Sequence, residues 1–335
     1  RQEMKYFKQL LSVAMLLLVI TACQRDHLYY GTNDRAIVKV NIDWKKSQMT
    51  PNGATVMAYN KDGSLFKVFP PMSDPNGGTI LLPQGSYDLI IFNDTPNEYK
   101  HIGFRGMENI NTFEAYAFQK EASKNRPKFQ GDVFVYEPDT LATARINNLE
   151  VTSRMVEYYY DKPNDKEMQI SKEIKATPQR VTSLMKIKVH VKGLCYAKGA
   201  PRTYLRNMSA STFIGTGLKS TNPVAHEFIL NNRQFDEGST QDATITNNLS
   251  TFGLLPTKVT GNRYYLDMLF TLINGKAYPI SVDITDKIHV TEVEIQTILD
   301  MKLDIELPKT EGVIIDGAFE PDVTEWEDVK VEIQM

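Results

Sequence analysis

The residues able to do chemistry are few and scattered. Two cysteines, Cys23 and Cys195, and five histidines, His27, His101, His190, His226 and His289, are the obvious nucleophiles, bases and ligands. No two histidines have metal-ligand spacing, so each reads as a surface or strand-face residue. Cys195, in Gly193-Leu194-Cys195-Tyr196, reads as a small packed hydrophobe near a strand end. There is no phosphate-cradling glycine loop, no GxSxG and no HExxH. Asp74-Pro75-Asn76-Gly77-Gly78 lacks the repeated carboxylates and closing Glu of a calcium loop and reads as a turn. Asp304/Glu306 and Glu325/Glu327/Asp328 fall on solvated strand faces or edges, although a two-carboxylate hydrolase draws its acids from separate elements. Tyr158-Tyr159-Tyr160 alternates faces on a strand, and Trp44 and Trp326 read as core or domain-edge packing. The expectation is no catalytic residue, no metal ligand, no cofactor and no small-molecule substrate.

Cys23 differs because of what precedes it. Lys5 and Lys8 form a positive start, residues 10–20 are apolar apart from Ser12, and Ile20-Thr21-Ala22-Cys23 follows. The run falls short of the roughly 20 apolar residues that cross a bilayer as a helix. Its charged, apolar, small-residue layout is that of a secretory signal. The end resembles the bacterial lipobox, in which the cysteine thiol is acylated and the peptide is cut just before it. That predicts a signal peptide over 1–22, expected to start at Met4, and a lipidated tether over 23–34. One acyl chain holds a membrane marginally and two or more hold it firmly. A diacylglyceryl and palmitate-type acyl group on Cys23 therefore anchors the chain without a spanning helix. Gln24 occupies the place where enteric bacteria put an inner-membrane retention Asp, which favours the outer membrane.

The elements that carry these residues are strands. Along residues 36–44, Val38, Val40, Ile42 and Trp44 share one face while Lys39, Asn41 and Asp43 share the other. Lys61-Asp62-Gly63 marks a hairpin between residues 55–59 and 65–69. Two apolar strands meet at Pro83-Gln84-Gly85. Residues 98–106 read as polar chain, 107–118 as short helix or loop, 129–136 as strand, and 155–160 and 168–174 as further strands. Near Pro178 the pattern restarts: Met185, Ile187, Val189 and Val191 point inward, and Lys186, Lys188, His190 and Lys192 outward. Further strands are expected over 202–212, 226–230, 244–255 and 264–272, and Asn274-Gly275 turns into 278–284. Residues 290–301 are the best helix candidate of the second half, although TEVEIQ also fits a strand. Residues 301–307 and 329–335 alternate again. This is mainly β: two tandem β-sandwich domains, over 35–177 and 178–335. Long amphipathic helices between strands are missing, which argues against a parallel α/β sheet. With 38 basic against 41 acidic residues, nothing points to nucleic acid. With Cys23 acylated, Cys195 has no disulfide partner and no cysteine zinc site exists.

Several stretches together resemble one family. They are the lipobox with a first strand soon after it; the hairpin carrying Leu82, Pro83, Gly85, Tyr87, Leu89, Ile90 and Ile91; the second half opening with RVTSLMKIKVHVKG; and the closing FEPDVTEWEDVKVEI. This looks like the Bacteroidales fimbrillin superfamily, in its lipoprotein anchor-like branch of FimB/Mfa2-like domain proteins. The resemblance implies two transthyretin-like (Ig-like) sandwiches and an adhesive pilus. In shaft subunits of that superfamily a protease cuts after an Arg or Lys in the loop following the first strand, and a neighbour's strand fills the vacated groove. Here that places candidate processing at Arg35, Lys45 and Lys46. Anchor subunits keep the strand and the lipid, and the absence of Arg from the loop favours that role. Asp139-Thr140-Leu141 resembles a short O-glycosylation motif of Bacteroidetes surface proteins, which marks Thr140.

Three functions compete. The first is a lipid-anchored outer-membrane fimbria (pilus) anchor or accessory subunit at the cell surface, without enzymatic activity. It would join fimbrial subunits by strand addition, or act as a protease-activated shaft or tip subunit. The second is a surface glycan-binding lipoprotein of a nutrient-uptake system, which needs an exposed row of Trp or Tyr. The third is a glycosidase, which needs acids converging in a cleft.

Overall fold

The computed structural model describes residues 35–121, 132–160, 172–256, 261–293 and 296–310. Cys23, the expected signal peptide and tether, Trp326 and the expected strand over 329–335 lie outside them, as do the side chains of Tyr158, Tyr159 and Tyr160.

The described chain opens with β1 (Arg35–Ile42), β2 (Ala54–Asn60), β3 (Leu65–Val68), β4 (Gly77–Pro83), β5 (Gly85–Asn93), β6 (Ile102–Arg105), β7 (Glu114–Ala117) and β8 (Phe134–Val135). There follow β9 (Ala142–Val151), a helix α1 (Ser153–Tyr160), β10 (Lys172–Ala176) and β11 (Gln179–Arg180). The remainder runs through β12 (Ser183–Lys192), β13 (Arg202–Ser209), β14 (Ser211–Phe213), β15 (Pro223–Ile229), β16 (Asn232–Phe235) and β17 (Ala243–Thr251). It then passes through β18 (Tyr265–Thr271), β19 (Ala277–Asp283), β20 (His289–Glu292) and β21 (Thr297–Glu306).

Two sheets, β10-β1-β4 and β11-β9-β5-β2-β3, face each other over a first core. Val38, Val40 and Ile42 meet Val56, Ala58, Leu89 and Ile91 there. Two larger sheets, β16-β17-β12-β21-β20 and β19-β18-β13-β15-β8, enclose a second core. Met185, Ile187, Val189 and Val191 face Leu205, Leu266, Met268 and Phe270 in it. The architecture is that of β-sandwiches, as the alternating strands imply.

A fifth sheet, β14-β7-β6, joins the two halves. β2 and β5 are therefore covered on both faces: Val56 and Ile91 look into the first core, while Met57, Tyr59, Ile90 and Phe92 belong to the second. Hydrogen bonding across position 178 runs through β7 with β14, β8 with β15 and β11 with β9.

Four local readings are corrected. β4 and β5 form no hairpin about Pro83-Gln84-Gly85; β4 pairs with β1 and β5 with β2 and β9, so the segment switches sheets. The Tyr87 hydroxyl locks this corner by donating to the Pro83 carbonyl at 3.2 Å. Residues 98–118 hold the β6–β7 hairpin, whose strands are too short for their alternation to register. Residues 153–160 form α1, not a strand: Met155 and Val156 pack on the first core, and packing overrides the strand preference of the tyrosines. The described residues expected as a helix over 290–301 are strand instead, 290–292 in β20 and 297–301 in β21. They belong to the β20–β21 hairpin, because Leu299, Met301 and Leu303 continue a period of two into the second core.

Candidate functional site

The first strand is the centre of its sheet. β1 is antiparallel to β4, from Arg35 opposite Pro83 to Asn41 opposite Gly77, and parallel to β10, from Val38 opposite Lys172 to Ile42 opposite Ala176. Ala36, Val38 and Val40 are fully buried. Gly77 permits the close approach of β4: its φ is +131°, and a Cβ there would lie 1.9 Å from the Val40 carbonyl oxygen. Outward-facing Lys39 meets Glu173 at 3.0 Å, and Lys175 meets Asp43 at 3.8 Å.

A single 3-10 turn, Trp44–Ser47, follows β1. Asp43 caps it, its carboxylate accepting from the Lys45 N–H at 3.1 Å. Trp44 is buried, and its indole N–H donates to the Pro75 carbonyl at 2.6 Å. The Ser47 hydroxyl donates to the Trp44 carbonyl at 2.8 Å. Lys45 and Lys46 stand exposed between these buried neighbours. Arg180 of β11 clamps the far side of the turn. Its Nε donates to the Ser47 carbonyl at 2.8 Å, one Nη to the Gln48 carbonyl at 3.4 Å, and the other to Gln296 Oε1 at 3.4 Å. The lysine side chains are thus exposed while the backbone around them is held folded by the Trp44 and Arg180 bonds.

The other expected site residues are not gathered there. Arg35 is exposed at the opposite end of β1. Thr140 is exposed before β9, and its carbonyl accepts from Asn93 Nδ2 at 3.2 Å. Next to it, the Asp139 carboxylate accepts from the His101 N–H at 2.6 Å. Cys195 is half-buried, and burial and then Asp242 push its thiol pKa up, which disfavours the thiolate.

The described histidines also stay apart, and His27 lies outside the described residues. His101 stacks on Tyr136 with ring centroids 4.7 Å apart. His190 bridges two carboxylates, Asp236 Oδ2 at 2.8 Å and Asp304 Oδ1 at 3.2 Å, and the Asp236 bond foremost raises its pKa. His226 is buried with neither ring nitrogen hydrogen-bonded, and desolvation lowers its pKa to about 4. Among the described residues no three His, Cys, Asp or Glu side chains converge to hold a metal ion. The Arg180 clamp and the His190 bridge escaped sequence reasoning. The available signal for the bridge was that His190 and Asp304 alternate outward on two strands, but their parallel pairing is not visible in the sequence.

The family described as a domain of unknown function (DUF5119) matches residues 22–228. The chain belongs to the DUF5119 family. A candidate adhesin from Bacteroides ovatus ATCC 8483 is 18% identical to this DUF5119 chain, with 82% of this chain and 94% of that one covered and a TM-score of 0.50. The fimbrial anchor protein Mfa2 from Porphyromonas gingivalis is 15% identical over 81% of this chain and 90% of its own, with a TM-score of 0.47. A candidate cell adhesion protein from Bacteroides eggerthii is 11% identical over 82% and 88%, with a TM-score of 0.46. The likeness to the B. ovatus protein shows the fold, which is mainly β as the alternating strands imply. A search of curated proteins found no match. No helix among the described residues of the DUF5119 chain is long and apolar enough to cross a membrane.

Proposed function

We propose that this DUF5119 protein is a non-enzymatic cell-surface subunit of a fimbria or similar adhesive assembly. It is held in the outer membrane through acylated Cys23 and associates with other fimbrial subunits. The observation that carries this reading is the placement of β1. The strand that a shaft subunit would surrender is internal, buried and bonded on both sides, and Arg180 holds the turn behind it. A chain that keeps this strand fills its own groove and leaves no vacancy for a neighbour's strand there. That suits an anchor or accessory subunit, which contributes a strand elsewhere. We place that contribution in residues 329–335.

Two experiments test the reading. A Cys23→Ala variant should leave the outer-membrane fraction and lose surface exposure; continued fractionation with the membrane contradicts anchoring. Truncation after Asp328 should abolish co-purification with fimbrial subunits while lipidation persists; unchanged co-purification removes the role of residues 329–335. Under the same reading Thr140 is the glycosylation site, and a Thr140→Ala variant should lose the glycan mass. Cleavage after Lys46, with release of the body from its lipid, would make the protein a shaft or tip subunit.

A further inference from the structure

β3 and β4 are edge strands of the two sheets that face each other over the first core, and an open hollow of about 480 Å³ lies between them. Arg35, Lys67, Pro70, Pro71 and Leu81 line it. Leu81 is 44% exposed, although its neighbours Ile80 and Leu82 are buried. β3 brings Phe66 and Val68, 38% and 43% exposed, to either side of Lys67. Pro70 and Pro71 are exposed as well. Grouped apolar surface of this kind marks a contact with a protein or a membrane. The prolines argue against an added strand, because they offer no N–H for a ladder.

The point where the chain enters the fold indicates what covers this surface. Arg35 lines the hollow, and fully buried Ala36 behind it fixes the entry. The apolar rim lies at the same end of β1. The ring of Phe66 is 5.1 Å from that of Tyr87, the Tyr87 hydroxyl donates to the Pro83 carbonyl, and Pro83 stands opposite Arg35. Eleven residues separate Cys23 from Arg35, a reach of at most about 40 Å in any conformation. With Cys23 acylated, this end of the body is therefore the part tied closest to the bilayer. The composition also fits an interface. Long basic side chains lay their stems on apolar surface and put their charges among headgroups. Lys67 already does so, its Nζ 5.4 Å from the Phe69 ring centroid. Two cations face one carboxylate in the lining, and that carboxylate, Asp74, accepts from the Asn76 N–H of its own loop at 2.9 Å.

We infer that this surface docks on the bilayer that holds Cys23, with Phe66, Leu81 and the two prolines at the headgroup boundary and Arg35 and Lys67 on lipid phosphates. The inference rests on the reading of Cys23 as the anchor: so small a surface binds weakly alone, and a short tether holds it at roughly millimolar effective concentration. It adds an orientation to that reading. The edge formed by β3 and β4 lies against the membrane, and Lys45 and Lys46, at the other end of β1, stand away from it.

The test couples the expected mature chain, Cys23 to Met335 with Cys195→Ala, through the Cys23 thiol to a maleimide lipid in phosphatidylethanolamine–phosphatidylglycerol vesicles. Acetylation of lysines by a water-soluble reagent is followed by mass spectrometry. On vesicles Lys67 should react at least ~5-fold more slowly than in the same chain free in solution, while Lys45 and Lys46 keep their rates. Phe66→Ser/Leu81→Ser leaves every charge in place and should restore the Lys67 rate. Ile229→Ser, which removes an exposed apolar residue of the second sandwich, should not. Equal Lys67 rates with and without vesicles, or protection that survives Phe66→Ser/Leu81→Ser, would overturn the inference. So would protection in solution that grows with protein concentration, which would make the occupant a second copy of the chain. Because the coupling supplies the tether, failure here counts against the surface alone; acylation of Cys23 in the cell is read separately from the intact mass.

Discussion

The molecule contains the same device twice. β1 alternates inward Val38, Val40 and Ile42 with outward Lys39 and Asn41, β12 alternates inward apolar residues with outward lysines and His190, and each sits in its sheet between an antiparallel and a parallel neighbour. The difference lies in the fastening. β12 is paired with β17 from Ser183 to Val191 and with β21 from Leu184 to Lys192, so both flanks run its full length. Among the described residues β10 pairs with β1 from Val38 to Ile42. The exits differ too. β12 runs into a turn with buried Leu194 and Tyr196, whereas β1 runs into exposed Lys45 and Lys46. One strand is fixed in the body; the other is filled from within and closed by a latch, the Arg180 clamp.

The comparison is broken most severely by placing a charge in each strand. Val40 and Val189 are both fully buried. Val189→Asp should abolish folding of the larger core, a loss of at least about 4 kcal/mol. Val40→Asp should lower the melting temperature by less, because β2 and β5 couple the two cores and the larger core keeps its own strands. Equal losses in both variants would erase the distinction.

Acid should sharpen it. His226 lies in the sandwich built on β12, and its folded pKa of about 4 is below the ordinary 6.5. Between those values the unfolded chain takes up a proton that the folded chain refuses. Stability from this group is complete above pH 6.5 and is lost as pH falls towards 4, by about 3 kcal/mol. His226→Leu should flatten that slope in thermal melts taken across the range; an unchanged slope places the acid sensitivity elsewhere.

The latch is tested more gently. Arg180→Ala should raise the rate of tryptic cleavage after Lys46 roughly tenfold, the effect of about 1.4 kcal/mol of lost hydrogen bonding. Arg180→Lys should not restore protection, because one ammonium cannot bridge Ser47, Gln48 and Gln296 as a planar fork does. Equal cleavage of parent and Arg180→Ala would show that Trp44 alone holds the turn. The smallest effect belongs to Lys39→Ala, whose exposed pair with Glu173 should be worth less than about 0.5 kcal/mol by chemical denaturation.

The sequence displays β1 and β12 plainly, because each buries one face and solvates the other, and period-two alternation is the direct record of that arrangement. It hides β9, where Asn147 and Asn148 interrupt the pattern at a bulge and Asn148 adopts φ +54°. It hides the sheet switch at Pro83-Gln84-Gly85 because a corner and a hairpin use the same turn residues. The site divides in the same way. Exposed Lys45 and Lys46 are legible as a loop after a strand, whereas Arg180 finds them from 133 residues away through its bond to Ser47. Contacts between segments so distant leave no local pattern.

The central claim is that β1 is retained. It is tested most directly by the intact mass and N-terminal analysis of the protein isolated from its own outer membrane. The account predicts an acylated Cys23 in a chain uncut at Lys46. A lipid-free chain beginning at Ser47 would contradict it.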